Sequence, residues 1–267
     1  MSNRISREFE QKQGSVRLNK YLSESGVCSR READRIIEEG RVTVDGRTAQ
    51  TGMRVIPGQN VCVDGKPVKR QEEMIVLALN KPPGVVCTEE KREKNSIVRF
   101  LDYPVRVTYV GRLDKDSRGL LLMTNNGDII NKMMRAGNCH EKEYKVKVDK
   151  PVTEEFLHRM AQGVPILDTV TRPCKVRKTG KYSFSIVLTQ GLNRQIRRMC
   201  EALGYQVRDL ERVRIMNIEL GNLKEGEYRK LKDEELNRLY ELIKDSSNET
   251  VIPTGKSRVV GGKKNGK

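Results

Sequence analysis

Apolar residues recur along this chain with two periods, and the switch between them predicts where helices give way to strands. Leu18, Tyr21 and Leu22 fall at i, i+3 and i+4, which predicts a short helix stopped by Gly26. A second helix is expected where Ser29 and Glu32 form an S-x-x-E capping box, Ala33, Ile36 and Ile37 make a buried stripe, and Gly40 ends it. Beyond Gly40 the period shortens to two. Val42 and Val44 lead into Asp45-Gly46, and Val61 and Val63 into Asp64-Gly65, each a hairpin signal. Residues 16–70 therefore read as a small α+β unit, preceded by a polar, flexible N-terminal stretch at 1–15.

From residue 71 the apolar runs lengthen. Ile75 to Leu79, Val107 to Val110 and Leu120 to Met123 read as strands, ended by Lys81-Pro82-Pro83-Gly84, Gly111 and Asn125-Asn126-Gly127. Ile129, Ile130, Met133 and Met134 predict a helix whose methionines serve the core and not a binding surface. Tyr144, Val146 and Val148 alternate as a half-buried strand, and a helix carrying Phe156, Leu157 and Met160 follows. Further strands are expected near Lys175 to Val176, Ser183 to Thr189 and Val207 to Leu220, with helices at Arg194 to Leu203 and Glu234 to Ile243. Hairpin-compatible strands with few intervening helices favour a mainly antiparallel α+β sheet over a doubly wound parallel one, so 71–244 reads as a second domain. At 245–267 the apolar period is lost and Lys256, Arg258, Lys263, Lys264 and Lys267 predict a disordered basic tail.

The 267 residues leave room for two such units. Lys and Arg number 52 against 36 Asp and Glu, a net charge of +16 that repels itself unless a polyanion is nearby, so nucleic acid is the first partner to consider. No apolar run approaches the ~18 residues of a membrane span and the N-terminal stretch has no apolar signal region, so a cytoplasmic protein without membrane partners is expected. Cys28, Cys62, Cys87, Cys139, Cys174 and Cys200 contain no C-x-x-C pair and read as reduced, mostly buried thiols. His140 and His158 are too few and too separated for a metal site, and no glycine-rich phosphate loop is present. The expectation is a chemistry without metal, cofactor or ATP, and a monomer, since no coiled-coil pattern is evident.

On the second helix Arg31 and Arg35 project opposite the apolar stripe and Arg30 sits in the first turn, while Arg17 and Lys20 lie off the stripe of the first helix and Arg41 follows the second. An ordinary solvated surface would carry the same pattern; the few acids on that face favour phosphate contact. The run from Gly111 to Asn125 delivers Arg112 and Asp114 to a glycine-bounded loop at a strand end, a rigid place to hold a carboxylate. A turn Asp also commonly satisfies local backbone amides. Asp116, two residues on, leaves open a hydrolase that uses paired carboxylates.

Arg17-Leu-Asn-Lys-Tyr-Leu, Ser29-Arg-Arg-Glu-Ala-Asp and Val42-Thr-Val-Asp-Gly resemble the S4 domain, a small RNA-binding module. Gly111-Arg-Leu-Asp-Lys-Asp-Ser-Arg-Gly-Leu, with Asn125-Asn-Gly-Asp behind it, resembles the signature loop of the RsuA-like pseudouridine synthases. That resemblance implies that Asp114 is the essential catalytic residue and that Arg112 fills the space left by a flipped uridine; Ser117 stands where the family often has Thr and keeps the hydroxyl. Glu143-Tyr144-Lys145-Val146 is similar to the family's K-x-Y strand, which implies that Tyr144 stacks on the base. Asn193-Arg-Gln-Ile-Arg-Arg-Met resembles the motif whose Arg, here Arg197, pairs with the catalytic Asp. The apolar stripe Ile196, Met199, Cys200 and Leu203 separately puts Arg197 at its border and Arg194 and Arg198 on the outer face, where they are candidate RNA contacts. Leu220-Gly-Asn-Leu through Gly226-Glu-Tyr-Arg-Lys-Leu231 resembles the closing element, which implies that Leu231 walls the pocket.

Within the family, Asn80-Lys-Pro, Ala136-Gly-Asn and the run from Gly191 to Cys200 look closest to members that act on large-subunit ribosomal RNA. The resemblance thus implies site-specific isomerisation of uridine to pseudouridine in that RNA, free or in an assembly intermediate, by base flipping, with transfer RNA as a second candidate substrate. The rival from another class is a noncatalytic S4-type ribosome-assembly factor, for which the basic N-terminal unit alone would suffice.

Overall fold

The computed structural model describes residues 14–69, 74–90, 92–134, 139–244 and 246. Most of the N-terminal stretch, the connector at 70–73, Ala136-Gly-Asn and all of the basic tail except Ser246 lie outside them.

In the N-terminal unit a short strand β1 (Val16–Arg17) leads into helices α1 (Leu18–Glu24) and α2 (Arg30–Glu38). The Ser29 side chain accepts from the Glu32 amide at 3.2 Å, so the expected cap starts α2. Leu18 and Leu22 pack with Ala33, Ile36 and Ile37 over strands β2 (Val42–Val44) and β5 (Val61–Val63), which pair antiparallel between β3 (Arg47–Thr48) and β6 (Lys66–Pro67). Strand β4 (Arg54–Val55) pairs with β1. Asp45 and Asp64 each adopt φ of 50° before a glycine, the two positive-φ residues that the hairpin turns require.

The larger domain is built on one nine-stranded sheet. Its strands are β7 (Val76–Lys81), β8 (Thr108–Val110), β9 (Arg118–Thr124), β10 (Lys142–Val148), β13 (Lys175–Gly180), β14 (Ser183–Leu188), β15 (Val207–Ile215), β16 (Ile218–Glu219) and β17 (Tyr228–Lys230). The main path runs β13-β14-β10-β15-β9-β7-β17, and a separate hairpin joins β11 (Pro165–Ile166) to β12 (Thr169–Val170). Every pairing in the sheet is antiparallel except β15 with β9. The fold is thus α+β and mainly antiparallel, as the hairpin signals predicted.

Helices cover both faces, which is why β7 and β9 read as continuous apolar runs. Val76, Ala78, Leu120 and Leu122 face α4 (Gly127–Met134) and α7 (Asp233–Ile243); Leu77, Leu79, Leu121 and Met123 face α3 (Ile97–Leu101) and Leu113. A third cluster packs α5 (Glu154–Gln162) and α6 (Gln195–Ala202) against β10 and β14. Leu77, Leu79, Leu120, Leu121 and Leu122 have no exposed surface. Each contributes roughly 1.5–3 kcal/mol, a sizeable share of a typical net stability of about 5–15 kcal/mol. The five-residue helix α3 and the three-residue edge strand β17 were not expected. The first is too short to show a period, and the second forms by pairing Tyr228, Arg229 and Lys230 with Leu79, Ala78 and Leu77 of β7.

The cysteines correct an expectation: only Cys87 and Cys200 are buried, Cys139 is exposed and the other three are half-buried. Among the described residues no helix is long and apolar enough to cross a membrane.

The parallel seam is held at two registered pairs, Arg118 with Glu211 and Gly119 with Arg212. Arg118 also reaches Asp209 (3.0 and 2.9 Å) and Glu211, so one side chain ties the start of β9 to β15. Gly119 has φ of +103°, and a Cβ there would lie 2.7 Å from the Arg212 amide nitrogen and closer still to the Arg212 carbonyl oxygen. Gly119→Ala should therefore cost at least about 3 kcal/mol, from combined backbone strain and a clash that no rotamer relieves. Chemical denaturation of the two proteins side by side measures it; a loss under about 1 kcal/mol would show that the seam can open cheaply.

Candidate active site

The loop between β8 and β9 carries Arg112, Asp114, Asp116 and Ser117, and two cations, buried Lys81 and half-buried Arg197, fix it from behind. The Ser117 amide donates to the Asp114 carbonyl at 3.1 Å and closes the turn. Lys81, at the end of β7, has no exposed surface and donates its Nζ to the carbonyls of Ser117 and Pro82, both at 2.8 Å. Burial pushes its ammonium below the usual lysine range, against the partial support of Asp116 and Asp114. Arg197 on α6 donates through Nη2 to the Asp116 carbonyl at 3.0 Å and the Ser117 hydroxyl at 3.2 Å, and lies 3.3 Å from the Asp116 carboxylate.

This corrects the expected Arg197–Asp114 pair. The cation beside Asp114 is Arg194, whose Nη1 is 3.7 Å from Oδ2; Arg194 also binds both Asp116 carboxylate oxygens at 3.2 Å. Arg194 precedes α6 in a left-handed conformation, φ 49°, so a helical projection misplaces it on the outer face. Arg198 turns back on its own loop, to the carbonyl and side-chain oxygens of Asn193. Burial would raise Asp116, but the Arg194 hydrogen bonds and the charges of Arg197 and Arg194 outweigh it and hold the carboxyl below its ordinary range. A hydrolase that used Asp116 as its acid would need this carboxyl kept protonated, which its two arginines oppose.

Asp114 opens onto a cavity of about 360 Å³, an ordinary size for a small-molecule site. Arg112 and Ser117 line it from the loop, Lys142 and Tyr144 from β10, and Arg212 from β15. Asp114 and Tyr144 therefore share one cavity, with Arg112 exposed at its edge, whereas Arg197 braces the loop from outside the lining. Ser117 is buried, so its hydroxyl serves Arg197. Leu231, expected at the wall, is not among the lining residues: its amide bonds to the Val76 carbonyl and its side chain joins the core cluster of α4 and α7. Met133 and Met134 do reach the cavity, and Met134 is 43% exposed, so the end of α4 contributes to the site as well as to the core.

The floor depends on a β-bulge. Along β10 and β15, Glu143 pairs with Arg214 but Tyr144 pairs with Arg212, so Val213 is the extra residue. Without it Arg212 and Arg214 would share a face. With it, Arg214 turns to Glu143 and Glu141, both at 3.0 Å, while Arg212 turns into the cavity beside Tyr144 and Lys142. Arg212 is 2% exposed and donates Nε to the Leu120 carbonyl at 2.7 Å; its Nη2 has no partner among the described residues. Burial and the neighbouring Arg212 bring Lys142 down to about 8. Sequence reasoning passed over Lys81, Lys142 and Arg212. Lys142 was visible two residues before Tyr144, in phase with it; Arg212 was hidden by the bulge.

Of the S4-like cations, Arg17, Arg30 and Arg31 are exposed and make no ion pair among the described residues. Arg35 pairs with Glu32 at 2.6 Å, and Arg41 with Asp64 at 2.6 Å, a carboxylate brought in by the β5–β6 turn. Lys20 binds both oxygens of Asp128, at 2.8 and 2.9 Å, in the first turn of α4, so it ties the two domains together. No group of three metal-ligating side chains gathers among the described residues.

Two family models match: the S4 domain over residues 16–60 and RNA pseudouridylate synthase over residues 75–202. The chain is 55% identical over 246 residues to the dual-specificity RNA pseudouridine synthase RluF of Escherichia coli K12, covering 91% of this chain and 84% of that protein. It is 34% identical over 241 residues to the ribosomal large subunit pseudouridine synthase B of Bacillus subtilis, covering 87% and 98%. A crystal structure of a pseudouridylate synthase superposes with a TM-score of 0.62 at 30% identity, covering 84% of this chain and 99% of that one. The chain therefore belongs to the RNA pseudouridine synthases and carries an S4 domain in front of the synthase domain.

Proposed function

We propose that this chain isomerises a specific uridine to pseudouridine in large-subunit ribosomal RNA, with residues 16–70 binding the RNA and residues 71–244 performing the reaction. The observation that carries the reading is that Asp114 and Tyr144 line one cavity while Arg112 stands exposed beside it. The name of the Bacillus subtilis relative supports the large-subunit target, and that of the Escherichia coli relative supports a second RNA substrate, for which transfer RNA is our candidate.

The reaction needs no external energy. The N1–C1′ bond breaks and its electron pair stays on the base, leaving C1′ electron-deficient and countered by the Asp114 carboxylate. The base turns, C5 donates a pair to C1′, and the proton displaced from C5 returns to N1. Asp114 must be ionised and aimed at the sugar. Arg194 lies 3.7 Å from its carboxylate, and Lys81 and Arg197 hold the loop that aims it. Tyr144 gives the freed ring an aromatic surface on which to turn. The target atoms are hidden in a stacked strand, so the nucleotide has to be extruded, at a cost of a few kcal/mol. Arg112, exposed at the cavity edge, is placed to fill the gap it leaves.

Asp114→Asn should lower product formation at least about a thousandfold, because the missing charge acts in the reaction itself. Its RNA affinity should stay within about twofold, because affinity comes from phosphate contacts elsewhere. Nuclease digestion and mass spectrometry of reacted ribosomal RNA, beside filter binding, read both; an active Asp114→Asn enzyme would exclude the assigned role.

The unpaired cations of the S4 domain give a second expectation. Replacing Arg30 and Arg31 together by Glu should weaken RNA binding and reduce the slope of log affinity against log salt by about 2, one for each phosphate that is no longer neutralised. The single-turnover rate at saturating RNA should be unchanged. A salt titration with an unaltered slope would remove these two residues from the RNA interface.

A further inference from the structure

Asp114 accounts for only one of the two charges that the reaction separates. When the N1–C1′ bond breaks heterolytically, the sugar side becomes electron-deficient and the base leaves as an anion, with negative charge spread over N1, O2 and O4. The carboxylate answers the first charge and opposes the second. The sheet side of the same cavity holds two cations without a role in that mechanism, Arg212 and Lys142.

Their placement is built and constrained. The bulge at Val213 turns Arg212 into the cavity and sends Arg214 to the other face. The Nε of Arg212 is held by the Leu120 carbonyl, and its backbone lies so close to position 119 that only glycine fits there. Its guanidinium is almost fully buried, yet Nη2 has no partner among the described residues, and an unsatisfied buried donor is expensive unless a ligand completes it. Lys142 lies on the same face of the sheet, two residues before Tyr144, and makes no ion pair among the described residues. Arg214, by contrast, is neutralised by Glu141 and Glu143. Neither of the two sheet cations that face the cavity has an ion-pair partner among the described residues.

We propose that Arg212 and Lys142 form an anion-stabilising floor that holds the carbonyl oxygens of the departing uracil and stabilises the base anion while it turns above Tyr144. This rests on the pseudouridine synthase reading of Asp114 and assigns the charge that Asp114 leaves unanswered. Preorganised, largely buried cations act on charge that develops only as the bond breaks, so their effect belongs to the rate and not to RNA affinity. The other charged or titratable groups facing the same cavity are Arg112, Asp114, His140 and Arg194. Lys142 is charged below its value of about 8, so its contribution should fade as pH rises through that range.

The test varies the stability of the leaving base. Ribosomal RNA transcripts of the 23S type are made with uridine or with 5-fluorouridine, whose ring carries the negative charge more easily. Single-turnover loss of the N-glycoside is followed by nuclease digestion, chromatography and mass spectrometry for the full-length wild type, Lys142→Met and Lys142→Arg. The uridine product is an isomer of its substrate, whereas the 5-fluorouridine product has no C5 proton to pass to N1 and instead takes up water across C6 and N1. Lys142→Met should slow the uridine transcript about a hundredfold and the 5-fluorouridine transcript about tenfold or less, since the better leaving base needs less help. RNA binding should stay within about twofold, because the floor acts on the transition state. Lys142→Arg should keep most of the rate and lack the decline near pH 8 expected of the wild type. Equal losses on the two transcripts, or no loss, would overturn the proposal. Arg212→Lys should show the same selective pattern if it folds, and Lys142 decides the matter if it does not. If the wild type itself makes no pseudouridine, it is the underlying reading that fails, an outcome distinct from an active wild type with an indifferent Lys142→Met.

Discussion

The architecture turns on one close approach, the parallel seam where β9 passes β15 at Gly119 and Arg212. The strands touch there at only two registered pairs, yet the seam joins the half of the sheet that carries the Asp114 loop to the half that carries Tyr144 and Lys142. Gly119 removes the side chain that would keep the backbones apart, Arg118 clamps Asp209 and Glu211, and Arg212 crosses back to the Leu120 carbonyl. Loop and floor are therefore fixed to the same few residues. The separation of Asp114 from Tyr144 is therefore set by the strands at the seam together with the braced loop.

Arginine and lysine do most of the remaining positioning, and their divided roles explain why so many lie in one place. Lys81 and Arg197 grip carbonyls and a hydroxyl on the hidden side of the loop, so they hold its shape without contacting the Asp114 carboxylate. Arg194 is shared between Asp114 and Asp116, with the shorter contacts to Asp116. Asp116 thus absorbs most of that cation's attraction and leaves Asp114 only loosely held. A carboxylate locked in a tight bidentate pair would lose this freedom to meet a group entering the cavity. The loose partner and the braced backbone are compatible demands because different residues meet them.

Local rules were legible wherever the chain's own neighbours decide its conformation. The Ser29 cap, the Asp45-Gly46 and Asp64-Gly65 turns and the two-faced runs of β7 and β9 could be read directly, because each depends on residues a few positions apart. The Asp114 loop was legible by its strand-end position and family likeness. What escaped reading depends on partners distant in the chain. Strand β17 exists because β7 offers it an edge, and the Val213 bulge exists because β15 takes one residue more than β10 between the Lys145–Glu211 and Glu143–Arg214 pairs. A period-two reading of Val207 to Ile215 puts Arg212 and Arg214 on one face, and the bulge reverses that for one of them. Arg194 escaped for a related reason: helical phase has no meaning for a residue that enters the helix at φ of 49°. Leu231 was placed by likeness to a motif that walls a pocket, and its position beside Val76 makes it core.

The net charge of +16 looks at first like a single property, but the structure divides it by location, and the division bears on how binding and chemistry are coupled. Arg35 and Arg41 are tied to carboxylates and Lys20 joins the S4 domain to Asp128 of α4, so part of the basic surface holds the molecule together. Arg17, Arg30 and Arg31 stay open to solvent, where contact with phosphate gains free energy whatever the base sequence. Such uniform binding does not accelerate a reaction by itself. It becomes useful once the bound RNA must surrender a stacked nucleotide, because extrusion costs a few kcal/mol and a handful of phosphate contacts can offset that much. With Lys20 and Asp128 joining the domains, energy gained on the S4 face can act at the cavity only if the docking holds while RNA is bound. The ion pair is exposed and individually weak, so that rigidity has to come from the neighbouring contacts as well. Arg106 supplies one, reaching Ser23 of α1 at 3.5 Å and Glu89 at 2.9 Å from the synthase side.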